Sequence, residues 1–342
     1  MPSPLEGQVA LVAGATRGAG RGIALELAAA GAKVYCTGRS TRGHPATPGR
    51  PETIEETAEL IAAEDGSAVA VKVDHTVEAE VEALAARIAA DEGRLDVLVN
   101  DIWGGDELID WGEPFWKQDM AAVRTLIDRA VLSHWITARF MAPMMVEANR
   151  GLIVEVTDGE LAGYRGGLLY DVCKASAIRL AYGMAWDLAA TRVTALAISP
   201  GFLRSEAMLE RFGVSEANWR DAVKDEAEFA WSETPRFVGR AIAALAADPK
   251  VRRKSGASLY VGDLADEYGF TDLDGTQPHF WRSFDAGLDD VLAEDGPLTG
   301  RVQFHVINRY RKIHLTPALG DQARNLAARL GWERLGDGLK PV

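Results

Sequence analysis

Only two cysteines, Cys36 and Cys173, occur in 342 residues, too few for a disulfide scaffold or a four-cysteine zinc site. The six histidines show no metal-ligand spacing such as His-Glu-x2-His, so no metal is expected. Positive charge is in deficit: 37 Lys plus Arg stand against 50 Asp plus Glu, a net charge of −13. A nucleic acid needs a broad basic surface, so none is expected as a partner, whereas an anionic small molecule needs only a few cations gathered locally. No apolar run is long enough to span a bilayer, and no membrane partner is expected. The opening Met1-Pro-Ser-Pro-Leu-Glu-Gly lacks the basic and apolar regions of a secretory signal, which makes a soluble cytoplasmic protein the expectation. Internal repeats and low-complexity tracts are also missing. What is there, 47% hydrophobic and 25% charged residues, is a globular composition that excludes wholesale disorder.

The first two hundred residues alternate short β-branched runs with longer helical patterns. Strands are expected at Val9–Ala13, Lys33–Thr37, Ala68–Val73, Leu95–Val99, Leu152–Val156, Val193–Ile198 and Ser258–Val261. They are nearly continuous apolar stretches, as in a sheet covered on both faces. Helical patterns fall between them at about 19–30, 52–64, 77–92, 117–147, 167–190 and 235–247. Right-handed crossovers then give an α/β fold, a doubly wound Rossmann-type parallel sheet of about seven strands with helices on both faces. Thr41–Pro51 is too rich in Gly and Pro for a helix and should be a surface loop. Residues 202–234 read as short amphipathic helices beyond a strand's carboxyl end, where a substrate lid would sit. Residues 1–265 thus form the expected wound domain. Residues 266–342 form a C-terminal extension of illegible role, with helical patterns near 280–293 and 320–331.

Val9 to Gly20 reads as strand, glycine-rich turn and helix start, with Gly14, Thr16, Arg17, Gly18 and Gly20 in the turn. Glycine is wanted there because the backbone turns sharply and a Cβ would keep a pyrophosphate from the helix amides. A dinucleotide is therefore expected rather than a turn without a ligand. At the end of the second strand, Tyr35-Cys36-Thr37-Gly38-Arg39, the acidic residue that usually takes an NAD ribose is missing. Arg39 stands just beyond, and Arg17 lies within reach of the same place. Guanidinium forks suit a phosphate dianion, so NADP(H) is expected over NAD(H), against the alternative of two ordinary surface arginines.

Tyr170 and Lys174 are four residues apart on one helix, so phenol and ammonium can converge. An ammonium nearby favours phenolate and is expected to lower the tyrosine pKa towards the range useful for proton transfer. Together with the glycine turn, this pattern resembles the classical short-chain dehydrogenase/reductase family over about residues 7–265. The resemblance rests on Gly14/Gly18/Gly20, Asp74 after the third strand, Leu98-Val99-Asn100 after the fourth, Tyr170/Lys174, and Ser199-Pro200-Gly201 with Ser205. Asp263-Leu-Ala-Asp-Glu-Tyr-Gly-Phe and Asp272-Leu-Asp-Gly resemble the subgroup around dehydrogenase/reductase SDR family member 1. The resemblance implies hydride transfer between a nicotinamide and a small-molecule carbonyl or alcohol. Tyr170 would be the general acid/base, and Lys174 would bind the nicotinamide ribose and keep Tyr170 acidic. Asp74 would meet the adenine, Asn100 would shape the strand end, and Pro200, Gly201 and Ser205 would bracket the nicotinamide. It also implies a homodimer or homotetramer built on the 117–147 and 167–190 helices, whose apolar residues run around much of their circumference.

The chain departs from that pattern where the family carries a serine 12 or 13 residues before the tyrosine. Thr157 and Asp158 stand there, and either could fill the role. A threonine hydroxyl can donate as serine does. An ionised Asp158 would repel a developing alkoxide unless it were protonated or faced a cation. The family asparagine of the fourth helix is also absent, with Arg129 or a neighbour in its place. A catalytically decayed dinucleotide-binding regulator or scaffold is therefore the alternative to an enzyme. A lyase or dehalogenase on the same scaffold ranks lower, because the glycine turn is intact. Trp103, Trp111, Trp116, Trp219 and Trp231 fall at the expected sheet edge, where they either line an aromatic pocket or serve ordinary packing. His134 is read as a structural histidine and Cys173 as space-filling.

Overall fold

The computed structural model describes residues 3–159 and 165–284, together with the backbone of residues 332–335 and 338–341. Seven parallel strands form one sheet: β1 (Val9–Ala13), β2 (Lys33–Gly38), β3 (Ser67–Lys72), β4 (Val97–Asn100), β5 (Gly151–Val156), β6 (Val193–Ser199) and β7 (Ser258–Tyr260). Their order is β3-β2-β1-β4-β5-β6-β7. Every residue of β1, β4 and β6 is buried, which is why these strands lack the polar alternation of a half-exposed sheet. β3 and β7, at the edges, are only partly covered.

The helices are α1 (Gly18–Ala29), α2 (Ile54–Ala63), α3 (Glu78–Glu92), α4 (Met120–Ile127), α5 (Ser133–Ala148), α6 (Leu168–Asp187), α7 (Glu206–Arg211), α8 (Pro235–Ala247) and α9 (Val261–Tyr268). One core joins the sheet to α1 and α8 through Ile23, Leu27, Phe237, Val238 and Ile242. The other joins the opposite face to α3 and α5 through Val81, Ile88, Met141 and Met145. The chain reverses its direction of winding between β1 and β4, so a crevice opens at their carboxyl ends, where ligands bind in open α/β sheets.

Three differences from the sequence reading have physical causes. Val261 starts α9 instead of ending β7. The single helix expected over 117–147 is α4 and α5 joined by a π-helical turn at Asp128–Leu132, and such wide turns are frequent at functional sites. An antiparallel pair, β8 (Trp332–Leu335) with β9 (Gly338–Pro341), occurs in the extension, where only helices were expected. The 41–51 loop forms as expected. The lid region contains α7 and two 3-10 helices, Trp219–Lys224 and Ala227–Trp231. The helix expected at 280–293 is described only over 280–284, and the one at 320–331 lies outside the described residues. Among the described residues no helix is long and apolar enough to cross a membrane.

Candidate active site

The β1–α1 turn is closed by main-chain contacts. Gly14 and Ala15 N–H both donate to the Thr37 carbonyl, at 3.0 and 2.9 Å. Gly14 has φ +98°, and a Cβ there would lie 2.4 Å from the Asp101 carbonyl oxygen. At Gly20 a Cβ would lie 2.2 Å from the Gly14 carbonyl oxygen. These contacts let the turn press against the β4 end and expose the first amides of α1. The Gly18 N–H donates to a Glu206 carboxylate oxygen at 2.8 Å, and Arg21 lies 3.6 Å from the same carboxylate. The helix start thus already takes an anionic oxygen, as its dipole and unpaired N–H groups favour.

A groove runs from this turn across the sheet edge. Gly14, Thr16, Arg17, Gly18, Arg39, Asp74, Lys174 and Ser205 all line it. At one end Arg39 lies 3.8 Å from Asp74. Burial lowers the Arg39 pKa, and Arg129 and Arg17 lower it further, so three guanidiniums gather here. Arg129, on the π turn, also donates to the Gly104 carbonyl at 2.8 Å. A dinucleotide fits this groove: the glycine turn and the start of α1, which favours anionic oxygens, face it, and guanidiniums gather at its end.

The other predicted residues are placed differently. Asn100 is fully buried and turned inward, donating to Glu155 at 2.7 Å and to the His134 carbonyl at 3.4 Å. Glu155 and His134 form a buried pair at 2.5 Å, and His134 also meets the Ile102 carbonyl at 2.9 Å. Burial disfavours the charged ring, but the Glu155 carboxylate outweighs it and raises the His134 pKa. His134 is thus a satisfied structural group. Nothing in the spacing of Glu155, on an apolar strand, announced this network. Pro200 and Gly201 lie outside the groove. The Pro200 carbonyl accepts from the Trp281 indole at 3.0 Å, and Phe280 and Glu233 crowd Gly201.

Asp158 and Thr157, at the end of β5, divide the roles left open for them. Thr157 donates to the Lys174 main-chain carbonyl at 2.7 Å, so its hydroxyl ties α6 to β5. Asp158 accepts a short hydrogen bond from the Tyr170 hydroxyl. Its other oxygen accepts from Arg165 at 2.8 Å, and its carbonyl accepts from the same guanidinium at 3.1 Å. Trp103 and Trp111 flank the Tyr170 ring, with centroids 5.4 and 5.0 Å away, while Trp219 is buried among lid side chains.

The expected acidic tyrosine is overturned. Burial, then the Asp158 carboxylate, raises the Tyr170 pKa well above that of a free phenol, and Arg165 only partly opposes them. The Lys174 ammonium lies 4.0 Å above the Trp103 ring centroid and 5.4 Å from that of Tyr170. Its own pKa is lowered by burial, against Asp158, Asp101 and Asp106. The i, i+4 spacing located the ammonium correctly, but a carboxylate is nearer the hydroxyl. Burial also pushes the Asp101 carboxyl up to about 7.

Residues 8–213 match the family model described as short chain dehydrogenase. Dehydrogenase/reductase SDR family member 1 of Mus musculus is 34% identical over 85% of this chain and 91% of its own length. The Homo sapiens protein of that name is 32% identical over 85% and 91%. The 7alpha-hydroxysteroid dehydrogenase of Escherichia coli strain K12 is 29% identical over 60% of this chain and 74% of its own. Among solved structures, a hydroxysteroid dehydrogenase from Escherichia coli superimposes with a TM-score of 0.60, 25% identity and coverage of 75% and 95%. A metagenomic short-chain oxidoreductase in complex with NADP shares the fold, with a TM-score of 0.57, 23% identity and coverage of 75% and 97%. With this fold, a glycine turn at the β1–β4 crevice and a tyrosine–lysine helix beside it, the chain belongs to the short-chain dehydrogenase/reductase family and is an NAD(P)-dependent oxidoreductase.

Proposed function

We propose that this enzyme prefers NADP(H) and moves a hydride between nicotinamide and a small-molecule carbonyl or alcohol, with Tyr170 exchanging the substrate proton. The observation that carries the reading is the Tyr170 hydroxyl on Asp158, with Lys174 one turn along the same helix and lining the glycine-turn groove. Nicotinamide, when bound, supplies or takes the hydride. Gly14, Thr16, Arg17, Gly18 and Gly20 would hold the pyrophosphate side, Arg39 and Asp74 the adenosine side, and Lys174 and Ser205 the nicotinamide side. Asn100 would act from behind, fixing the β4 end, and Pro200 and Gly201 would form the wall beyond. Thr157 anchors the catalytic helix, and Asp158 orients the phenol. A phenol whose pKa is raised stays protonated through neutral pH and is ready to donate, which suits carbonyl reduction. Alcohol oxidation, which needs phenolate, would require alkaline solution.

The domain division belongs to the same proposal: a catalytic domain over 1–265, a lid over about 202–234, and an extension over 266–342. So does assembly into a homodimer or homotetramer through α5 and α6, which border an apolar groove lined by Trp135, Ala138 and Leu180 and on which Trp135 and Trp186 are 61% and 68% exposed. Cys36 and Cys173 are free and buried, in keeping with a reducing, cytoplasmic setting.

Turnover of NADPH on a panel of ketosteroids, ketoacyl compounds and simple aldehydes, with Tyr170→Phe as control, tests the reading. Wild type should turn over at least one class. The variant should bind NADPH equally and lose at least about a hundredfold in kcat, the lower bound for general acid–base catalysis. The raised phenol and the carboxylate in the serine's place favour one rival, a decayed dinucleotide-binding protein. Tight NADPH binding without turnover on any class would select it.

A further inference from the structure

Asp158 poses an electrostatic difficulty, since a bare carboxylate beside the substrate oxygen would oppose the negative charge that develops there during reduction. We infer that Arg165, clamped by Trp281 of the C-terminal extension, is a positioning residue whose charge lets Asp158 stand beside the reacting phenol in place of a neutral hydroxyl. This rests on the proposed role of Tyr170.

The two carboxylate oxygens are divided, Oδ1 to Arg165 and Oδ2 to the Tyr170 hydroxyl. Arg165 is fixed on three further sides. Its Nε donates to the Asp158 carbonyl, and its main-chain N–H donates to Asp171 Oδ1 at 2.9 Å. Its guanidinium lies 5.1 Å from the Trp281 ring centroid. Trp281 is itself 9% exposed, stacked on Tyr260 at 5.3 Å and hydrogen-bonded to the Pro200 carbonyl. A guanidinium suits this position because it can bind a carboxylate edge-on while its face lies on an aromatic ring.

Among the remaining charges, Asp106 acts on the phenol, Asp101 and Asp106 act on Lys174, which lies 5.4 Å from the Tyr170 ring centroid, and Asp171 acts on Arg165. The Asp106 carboxylate adds to the negative field of Asp158 at the phenol and Arg165 opposes it, so Asp158 depends on Arg165 for its balance. Burial and Asp158 raise the Tyr170 pKa while Arg165 lowers it, so removing either charged partner should move the phenol in opposite directions. The extension thereby reaches the reacting group through Trp281, Arg165 and Asp158 in turn.

The test is a four-protein cycle of wild type, Arg165→Met, Asp158→Ser and the double variant, measured in both reaction directions across pH. Arg165→Met should lower reductive kcat about tenfold or more, because it leaves the Asp158 charge uncompensated beside the developing alkoxide. It should move the rising limb of alcohol oxidation to higher pH and leave NADPH affinity unchanged. Asp158→Ser should move that limb to lower pH, and in its background Arg165→Met should change kcat by less than about twofold. Arg165→Lys should recover most of the loss, and Trp281→Ala should reproduce a smaller version only while Asp158 is present. Equal losses from Arg165→Met in both backgrounds, or pH limbs moving the same way, would overturn the proposal. Persistence of turnover in Tyr170→Phe would instead remove the proton-transfer reading beneath it, so the two failures are told apart.

Discussion

Replacing Arg39 with aspartate should turn the groove from NADPH towards NADH. The Arg39 guanidinium lines the groove 3.8 Å from Asp74, and burial, Arg129 and Arg17 all lower its pKa. Arg39 faces Asp74, Arg17 faces Glu52 at 4.0 Å, and Arg129 adds a third guanidinium at this end, which a 2′-phosphate would meet. A hydrogen bond to a charged group contributes about 1.5–3 kcal/mol, which is about 10–150-fold in Kd. Arg39 is 29% exposed, and water screens such a partner, so the lower half of that range applies, near 30-fold. The aspartate would repel the phosphate and offer an acceptor to a 2′-hydroxyl. NADPH affinity should therefore fall about 30-fold while NADH affinity holds within threefold or improves. Quenching of tryptophan fluorescence by each cofactor measures both constants. Repeating the titrations at higher ionic strength should shrink the wild-type preference, because exposed phosphate contacts are screened. An unchanged NADPH-to-NADH ratio in Arg39→Asp would refute the assignment of this end of the groove to the 2′-phosphate.

Two further outcomes concern the scaffold under the groove. His75 is 3% exposed and bridges Thr37 and Thr137, each at 2.8 Å, and burial, aided by His134, pushes its pKa from 6.5 down to about 3. Below pH 6.5 the unfolded chain takes up a proton that the folded chain refuses, so stability falls as the pH drops from 6.5 towards 3. The loss between pH 7 and pH 5 is about 2 kcal/mol, and His75→Gln should remove that part of the difference between urea unfolding curves; an identical pH dependence in the variant would show that His75 is not the titrating group. Gly20→Ala would put a Cβ 2.2 Å from the Gly14 carbonyl oxygen and 2.9 Å from Asp101 Oδ2. Thermal melts with and without NADPH should show about 1–3 kcal/mol of destabilisation and a smaller stabilisation by cofactor, whereas an unshifted melt would mean the turn can open at no cost.

Legibility followed the range of the interactions. The strands could be placed to within a residue or two because continuous apolar runs and their crossovers are local signals. The glycine turn was legible for the same reason, since steric need at Gly14 and Gly20 is met within one strand–helix unit. Arg39 and Asp74 were legible because they sit directly beyond strand ends, where a parallel sheet must present them. The π turn at Asp128–Leu132 was not, because its residues are as acceptable to an α-helix. Nor was the inward turn of Asn100: the position beyond β4 was readable, but its buried partners come from β5 and α5.

The same distinction explains why Lys174 could be placed beside Tyr170 while the acidity of that phenol was misjudged. Residues i and i+4 on a helix are neighbours by covalent geometry, so Lys174 could be placed beside Tyr170 without any tertiary knowledge. Asp158 reaches the hydroxyl from the end of β5, Arg165 reaches Asp158 from seven residues further along the chain, and Trp281 reaches Arg165 from beyond β7. A pKa is the sum of such contributions and cannot be read from the nearest one alone. Which side chains share a helix face can therefore be named from spacing, whereas the direction in which they are tuned is carried by contacts the fold alone creates. Here that direction favours a protonated phenol, and the cation that partly opposes it, Arg165, lies outside every motif.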